Sequence, residues 1–95
     1  MSRIEVEAMI KKLLRKYHAE YAVLFGSYAR GDADENSDID VIVFGGDEFH
    51  ATDIFAFGEE LRELSKMRVD AFEIREINKD TEFYRNVLKE GVRIA

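Results

Sequence analysis

A chain of 95 residues with 46% hydrophobic and 12% aromatic content is expected to form one small globular domain over residues 1–95, near the lower limit for a single core. Its formal charge of −6 argues against direct nucleic-acid binding, which calls for a basic face. No apolar run reaches membrane-spanning length, the start Met-Ser-Arg-Ile-Glu is no secretory signal, and the absence of cysteine excludes disulfides and thiolate metal sites; a cytoplasmic location is expected.

Ser2 and Glu5 stand in capping-box relation, and Val6, Ile10, Leu13, Leu14 and Tyr17 recur at helical spacing, so the first helix is predicted from Arg3 to about Tyr17. Lys11, Lys12, Arg15 and Lys16 form its solvated outer face. His18 falls at its end, where it suits the helix dipole. Tyr21–Phe25 is a short, wholly apolar strand that stops at Gly26-Ser27, and Tyr28-Ala29-Arg30 makes a helical turn closed by Gly31. A strand–Gly–Ser–helix junction aims backbone N–H groups and a hydroxyl at one point, as a phosphate cradle requires. Most Gly-Ser dipeptides are nevertheless only turns.

The second strand is predicted from Asp38 to Phe44, with Ile39, Val41 and Val43 on one face and Asp38, Asp40, Ile42 and Phe44 on the other. Only six residues separate Gly31 from Asp38, too few for a crossover helix, so the first two strands are expected to be antiparallel neighbours. Gly45-Gly46 ends the strand, and Thr52 or Asp53 caps a helix to about Lys66 with Ile54, Phe57, Leu61 and Leu64 as its buried stripe. Met67–Ile74 reads as a third strand, parallel to the second through a right-handed crossover, with Asp70 near its start. A last helix from about Lys79 to Glu90 turns Phe83, Tyr84, Val87 and Leu88 inward and ends at Gly91, before an edge strand at Val92–Ala95. The fold class is α/β (α+β): a small mixed sheet of three to four strands packed with about four helices.

Asp38 and Asp40 share a strand face roughly 7 Å apart by strand rise. Like charges held side by side at the head of a buried strand are costly unless a cation lies between them. Asp32, Asp34, Asn36, Asp38 and Asp40 do fall at alternate positions of a calcium loop, but Ser37 stands where that loop needs Gly and Val43 where it needs Glu. A solvated acidic loop is the plainer reading from acidity alone, and leaves unexplained Asp40 within an apolar run and Asp70 in the matching place of the next strand. Three converging carboxylates beside a Gly-Ser turn suit Mg²⁺, whose octahedron substrate phosphates complete. Two such ions about 4 Å apart would activate an attacking oxygen and neutralise a departing pyrophosphate. Asp38 and Asp40 would bridge both ions, and Asp70 would bind one and lie close enough to take the attacking hydroxyl's proton. Ser27 and neighbouring amides would hold the β- and γ-phosphates; Arg30 either adds charge there or pairs with Asp32 or Asp34. Tyr17, Tyr21, Tyr28 and Tyr84 read as core or rim aromatics, and His18 and His50 have no metal-ligand spacing.

The run Gly26-Ser27-Tyr28-Ala29-Arg30-Gly31, followed after five residues by Ser37-Asp38-Ile39-Asp40, resembles the signature of the polymerase-β-like nucleotidyltransferase superfamily, and more closely the minimal nucleotidyltransferases. The likeness covers nearly the whole chain and implies the nucleotidyltransferase fold. By it, Gly26 and Ser27 match the triphosphate-binding turn, Asp38 and Asp40 the paired metal ligands, and Asp70 the third carboxylate; Glu73 is set aside because strand alternation puts it on the opposite face. The resemblance also implies two Mg²⁺ ions, ATP as donor, and a HEPN-domain toxin as partner, with AMP transferred to a tyrosine of that toxin by an antitoxin. Larger relatives carry a further domain for the acceptor, so here a second molecule is expected to supply it. Two other readings stand beside this one: an idle antitoxin acting by occlusion, and a small-molecule (aminoglycoside-type) nucleotidyltransferase completed by a second subunit.

Overall fold

The computed structural model describes Met1–Ala95. Its elements are α1 (Arg3–Lys16), β1 (Tyr21–Phe25), α2 (Gly26–Arg30), β2 (Ile39–Phe44), α3 (Asp53–Ser65), β3 (Val69–Glu73), a 3-10 turn (Ile74–Glu76), α4 (Glu82–Glu90) and β4 (Val92–Ile94). The four strands form one mixed sheet in the order β3-β2-β1-β4. β1 runs antiparallel to β2 and to β4, and β2 runs parallel to β3, as the short loop and the helical crossover require. This is the expected architecture of four helices packed with a four-stranded mixed sheet.

Strand alternation gives the sheet two unlike faces. Ala22, Leu24, Ile39, Val41 and Val43 point to the main core, where they meet Val6, Ile10, Leu13 and Leu14 of α1 and Ile54, Phe57 and Leu61 of α3. The other face carries Val23 and Ile42 under Val87 of α4, ringed by half-buried aromatics that include Phe25, Phe72 and Tyr84. That second face is thinly covered, and it is the one that bears Asp40 and Asp70. The helix pair α1–α3 is tied at the surface by Glu60, which accepts from Lys16 Nζ at 2.8 Å and from the Tyr17 hydroxyl at 2.9 Å. At the start of α1 the capping box forms as expected, Glu5 N–H donating to Ser2 Oγ at 3.2 Å and Ser2 N–H to Glu5 Oε1 at 3.0 Å.

Several expectations from the sequence are corrected. Leu64 is exposed, and Ser65 takes its place in the buried stripe of α3; the sheet-facing row runs 54-57-58-61-65, and position 64 lies about 80° from its centre. Thr52 makes no side-chain cap. Instead Asp53 folds back to accept from His50 N–H at 2.9 Å. The last helix starts at Glu82, later than Lys79, because Thr81 caps it: Thr81 Oγ1 accepts from Tyr84 N–H, and Asn78 Oδ1 holds the preceding turn through Asp80 N–H. Within α4 only Val87 is fully buried, whereas Leu88 is 59% and Phe83 44% exposed. A nine-residue helix lying on a narrow sheet has one row to bury, not two. His18 sits beyond the helix end with φ of 57°, its Nδ1 3.8 Å from Glu48.

Candidate active site

Gly26 is where β1 becomes α2. Its φ of +71° lies in the left-handed region that a side chain disfavours, and a Cβ there would collide with Oδ2 of Asp40. Position 26 therefore needs glycine twice over, for its backbone and for the carboxylate beside it. Ser27 is half-buried in the first turn, and its carbonyl accepts from Gly31 and Asp32 N–H at 3.0 and 3.1 Å. Gly31 closes α2 at φ of +84°, which turns the chain into the acidic loop. The turn of residues 26–27 thus packs against β2 at the level of Asp40, as the antiparallel pairing Phe25↔Asp40 dictates.

β3 completes the row. Asp40 and Asp70 are register partners across the parallel pair, so Phe25, Asp40 and Asp70 lie side by side on the sheet's thinly covered face, at a neighbouring-strand spacing of about 4.8 Å. Asp40 is half-buried and the pKa of its carboxyl is pushed up to about 6. Burial is the largest cause, followed by the charges of Asp70 and Asp38, with Arg30 pulling the other way. Asp38 lies just before β2. Arg68 Nε stands 2.9 Å from its Oδ1, yet the N–H is not aimed at that oxygen, which is buried without a hydrogen-bond partner.

Gly26 meets Asp40, and Asp40 meets Asp70. Asp38 adds its charge from the strand lead-in but is engaged by Arg68, and as the side chains lie, no group of three acids forms a closed cation site. In donor chemistry the set still fits a hard divalent cation: all ligands are carboxylate oxygens, one of them buried and unpartnered, and another resists ionisation without a counter-charge. Arg30 divides its guanidinium between Asp32 at 3.4 Å and Glu90 at 3.6 Å; the pairing with Asp32 was one of the two options in the sequence, and the link to α4 was not visible there. Arg68 was missed altogether, although its place two residues before Asp70 puts it at the same strand edge by alternation.

A second acid, Glu73, is buried at the opposite end of β3 and on the opposite face, 1% exposed. Burial pushes its carboxyl up, but hydrogen bonds from the Arg75 side chain, Arg75 N–H and Gly45 N–H outweigh that and leave it below the usual range. It ties the ends of β2 and β3 together and takes no part in the acidic row.

A glycine turn, a row of acids and a four-stranded mixed sheet define a nucleotidyl-transferring fold. The polymerase β nucleotidyltransferase family model matches residues 8–95, and the chain belongs to that family. A protein of Methanocaldococcus jannaschii provisionally named a protein adenylyltransferase is 32% identical over 94 residues, covering 90% of each chain. In three dimensions the chain is similar to a crystal structure of a toxin–antitoxin with AMP-PNP, with a TM-score of 0.79 at 27% identity over 94% of this chain and 72% of that one. It is also similar to a structure provisionally described as a minimal nucleotidyltransferase, with a TM-score of 0.76 at 27% identity over 97% of this chain and 95% of the other. The chain is thus a minimal-type nucleotidyltransferase. None of its helices is long and apolar enough to cross a membrane.

Proposed function

We propose that this nucleotidyltransferase transfers AMP from ATP to a hydroxyl of a partner protein, a tyrosine of a HEPN-domain toxin, and so acts as the antitoxin of the pair. The observation that carries the reading is the Asp40–Asp70 register pair abutting the Gly26 turn. The adenylyltransferase name of the archaeal relative and the AMP-PNP and toxin–antitoxin content of the structural neighbour support the choice of donor and acceptor.

Asp38, Asp40 and Asp70 would hold two Mg²⁺ ions, which when bound supply positive charge to the α-phosphate and to the leaving pyrophosphate. Amides at Gly26 and Ser27, with the Ser27 hydroxyl, hold the β- and γ-phosphates. Arg30 adds a positive charge to that end. The acceptor oxygen approaches the α-phosphorus from the Asp70 side, opposite the turn. Its bond to phosphorus forms as the bond to the β-phosphate oxygen breaks, and Asp70 takes the hydroxyl proton. Pyrophosphate leaves over Gly26-Ser27, and AMP stays on the acceptor as a phosphodiester.

Incubation of the chain and its partner with α-labelled ATP and Mg²⁺ is expected to label the partner, and Asp38→Asn/Asp40→Asn is expected to abolish the label. Labelling that persists in the double variant removes these residues from the chemistry. Full toxin neutralisation by that variant with no label would establish neutralisation by occlusion instead.

A further inference from the structure

β3 is an edge strand, paired with β2 on one side only. Ile39 N–H donates to the Arg68 carbonyl at 2.9 Å, and the register Asp40↔Asp70 continues that ladder. Backbone groups alternate sides along a strand, so Asp70 and Phe72 turn theirs to β2 while Val69, Ala71 and Glu73 turn theirs outward. Both ends of the outward row are occupied. Arg62, reaching down from α3, donates to the Val69 carbonyl at 2.9 Å, and Glu73 N–H donates to Glu76 Oε1 at 2.8 Å. Between these two stops Ala71 keeps an outward N–H and C=O with no partner in the chain.

We propose that this opening seats the acceptor: an extended segment of the partner protein pairs with Ala71 as a fifth strand and so brings its hydroxyl side chain beside Asp70. The inference rests on the nucleotidyl-transfer reading above and names how the acceptor is held.

The pleat makes the placement specific. In a strand added at the usual spacing of about 4.8 Å, the residue level with Asp70 points to the same face as Asp70. The row Phe25–Asp40–Asp70 thus gains a fourth member on the side from which the attacking oxygen comes. The neighbours of that residue in sequence point the other way, under α3, and an apolar surface waits for them there. Arg62 stands over Val69 and Gly58 against Ala71, so Phe55, seven residues before Arg62 on the same side of α3, falls beyond Ala71 toward Glu73. Its ring is 76% exposed. The acceptor segment therefore carries its hydroxyl on one face and an apolar side chain on the other, one or three residues away. Strand addition draws affinity from main-chain hydrogen bonds and specificity from alternate side chains. A second copy of this chain is the poorer occupant, because it would bring another −6 charge and another exposed Asp70 to the same edge.

The test is amide hydrogen exchange of the full chain by NMR, alone and with its HEPN-domain partner, beside transfer from α-labelled ATP in Mg²⁺. The Ala71 amide is expected to exchange freely in the chain alone and about tenfold or more slower in the complex. Ala71→Pro removes the outward donor and spares the ladder to β2, as edge positions permit. It is expected to raise the KM for the partner about tenfold with ATP affinity unchanged. Phe55→Ala, at an exposed position outside the core, is expected to raise that KM about fivefold, and it serves as a check should Ala71→Pro unfold. Label transfer with Ala71 exchange unchanged in the complex, or a native KM in both variants, overturns the strand docking while the transfer reading stands. Ala71 protection in the chain alone, at twice the monomer mass, gives the edge to a second copy and overturns it too. A native chain that transfers no label to the partner overturns both.

Discussion

Asp40 and Asp70 face each other across the parallel β2–β3 pair, and burial, with the charges of Asp70 and Asp38 beside it, pushes the Asp40 carboxyl up to about 6. A raised carboxyl proton affinity is stability stored at low pH. The contribution is fully present below the ordinary value of 3.8 and is lost as pH rises through about 6. A shift of that size corresponds to about 3 kcal/mol for a fully buried group; half-open to water, Asp40 is screened to nearer 1 kcal/mol.

In EDTA, the chain is therefore expected to be more stable at pH 5 than at pH 7.5 by about 0.5 kcal/mol from this group, since pH 5 lies inside the window over which the contribution is lost. Asp40→Asn should remove that dependence and raise stability at pH 7.5 by about 1 kcal/mol, the whole screened contribution. Chemical denaturation at both pH values reads the difference, and a variant that keeps the wild-type pH profile would place the titration elsewhere.

Divalent cations should reverse the preference. Adding Mg²⁺ at pH 7.5 is expected to raise the melting temperature of the native chain and to leave Asp38→Asn/Asp40→Asn unmoved, because ligands that repel one another become ligands of one charge. Arg68, whose Nε lies 2.9 Å from Asp38 Oδ1, competes with the cation. Its side chain is 80% exposed, so Arg68→Gln should tighten Mn²⁺ binding by no more than about fivefold, measured by calorimetry. Weaker Mn²⁺ binding in this variant would mean that Arg68 helps to assemble the site.

Gly26→Ala tests the turn. The added methyl group meets the Asp40 carboxylate and a φ of +71°, so we expect a loss of about 1–2 kcal/mol in stability and of at least tenfold in transfer. Gly31→Ala has a similar φ but open space around it; it should cost about 1 kcal/mol and spare transfer far better. Equal damage to transfer in both variants would show backbone strain, not the carboxylate contact, to be what matters at position 26.

Glu73 gives the opposite dissociation. It is buried against Arg75 and two backbone N–H groups, so Glu73→Ala leaves donors unpaired and is expected to destabilise by about 3 kcal/mol. Its lowered carboxyl contributes stability above the ordinary value of 4.5 that is lost as pH falls below it. Mg²⁺ affinity of the folded variant should be unchanged, because Glu73 lies on the other face. The urea midpoint and Mg²⁺ titration together check this, and weakened Mg²⁺ binding would couple the two ends of β3.

Local periodicity carried much of this molecule. Spacing of two set the alternating faces of β2, spacing of three to four placed the buried rows of α1 and most of α3, and six loop residues were enough to make β1 and β2 antiparallel. Those are short-range consequences of backbone geometry, so the order of residues determined them. Tertiary packing alone decided the rest. The β2–β3 register that sets Asp70 beside Asp40 depends on how α3 seats on the sheet. The Arg68–Asp38 pairing, the Arg30–Glu90 link, the outward turn of Leu64 and Leu88, and the half-open ring of Phe83 all join or separate groups far apart in the chain. Such contacts have no period to announce them; they exist only once the sheet has chosen which helix covers which face.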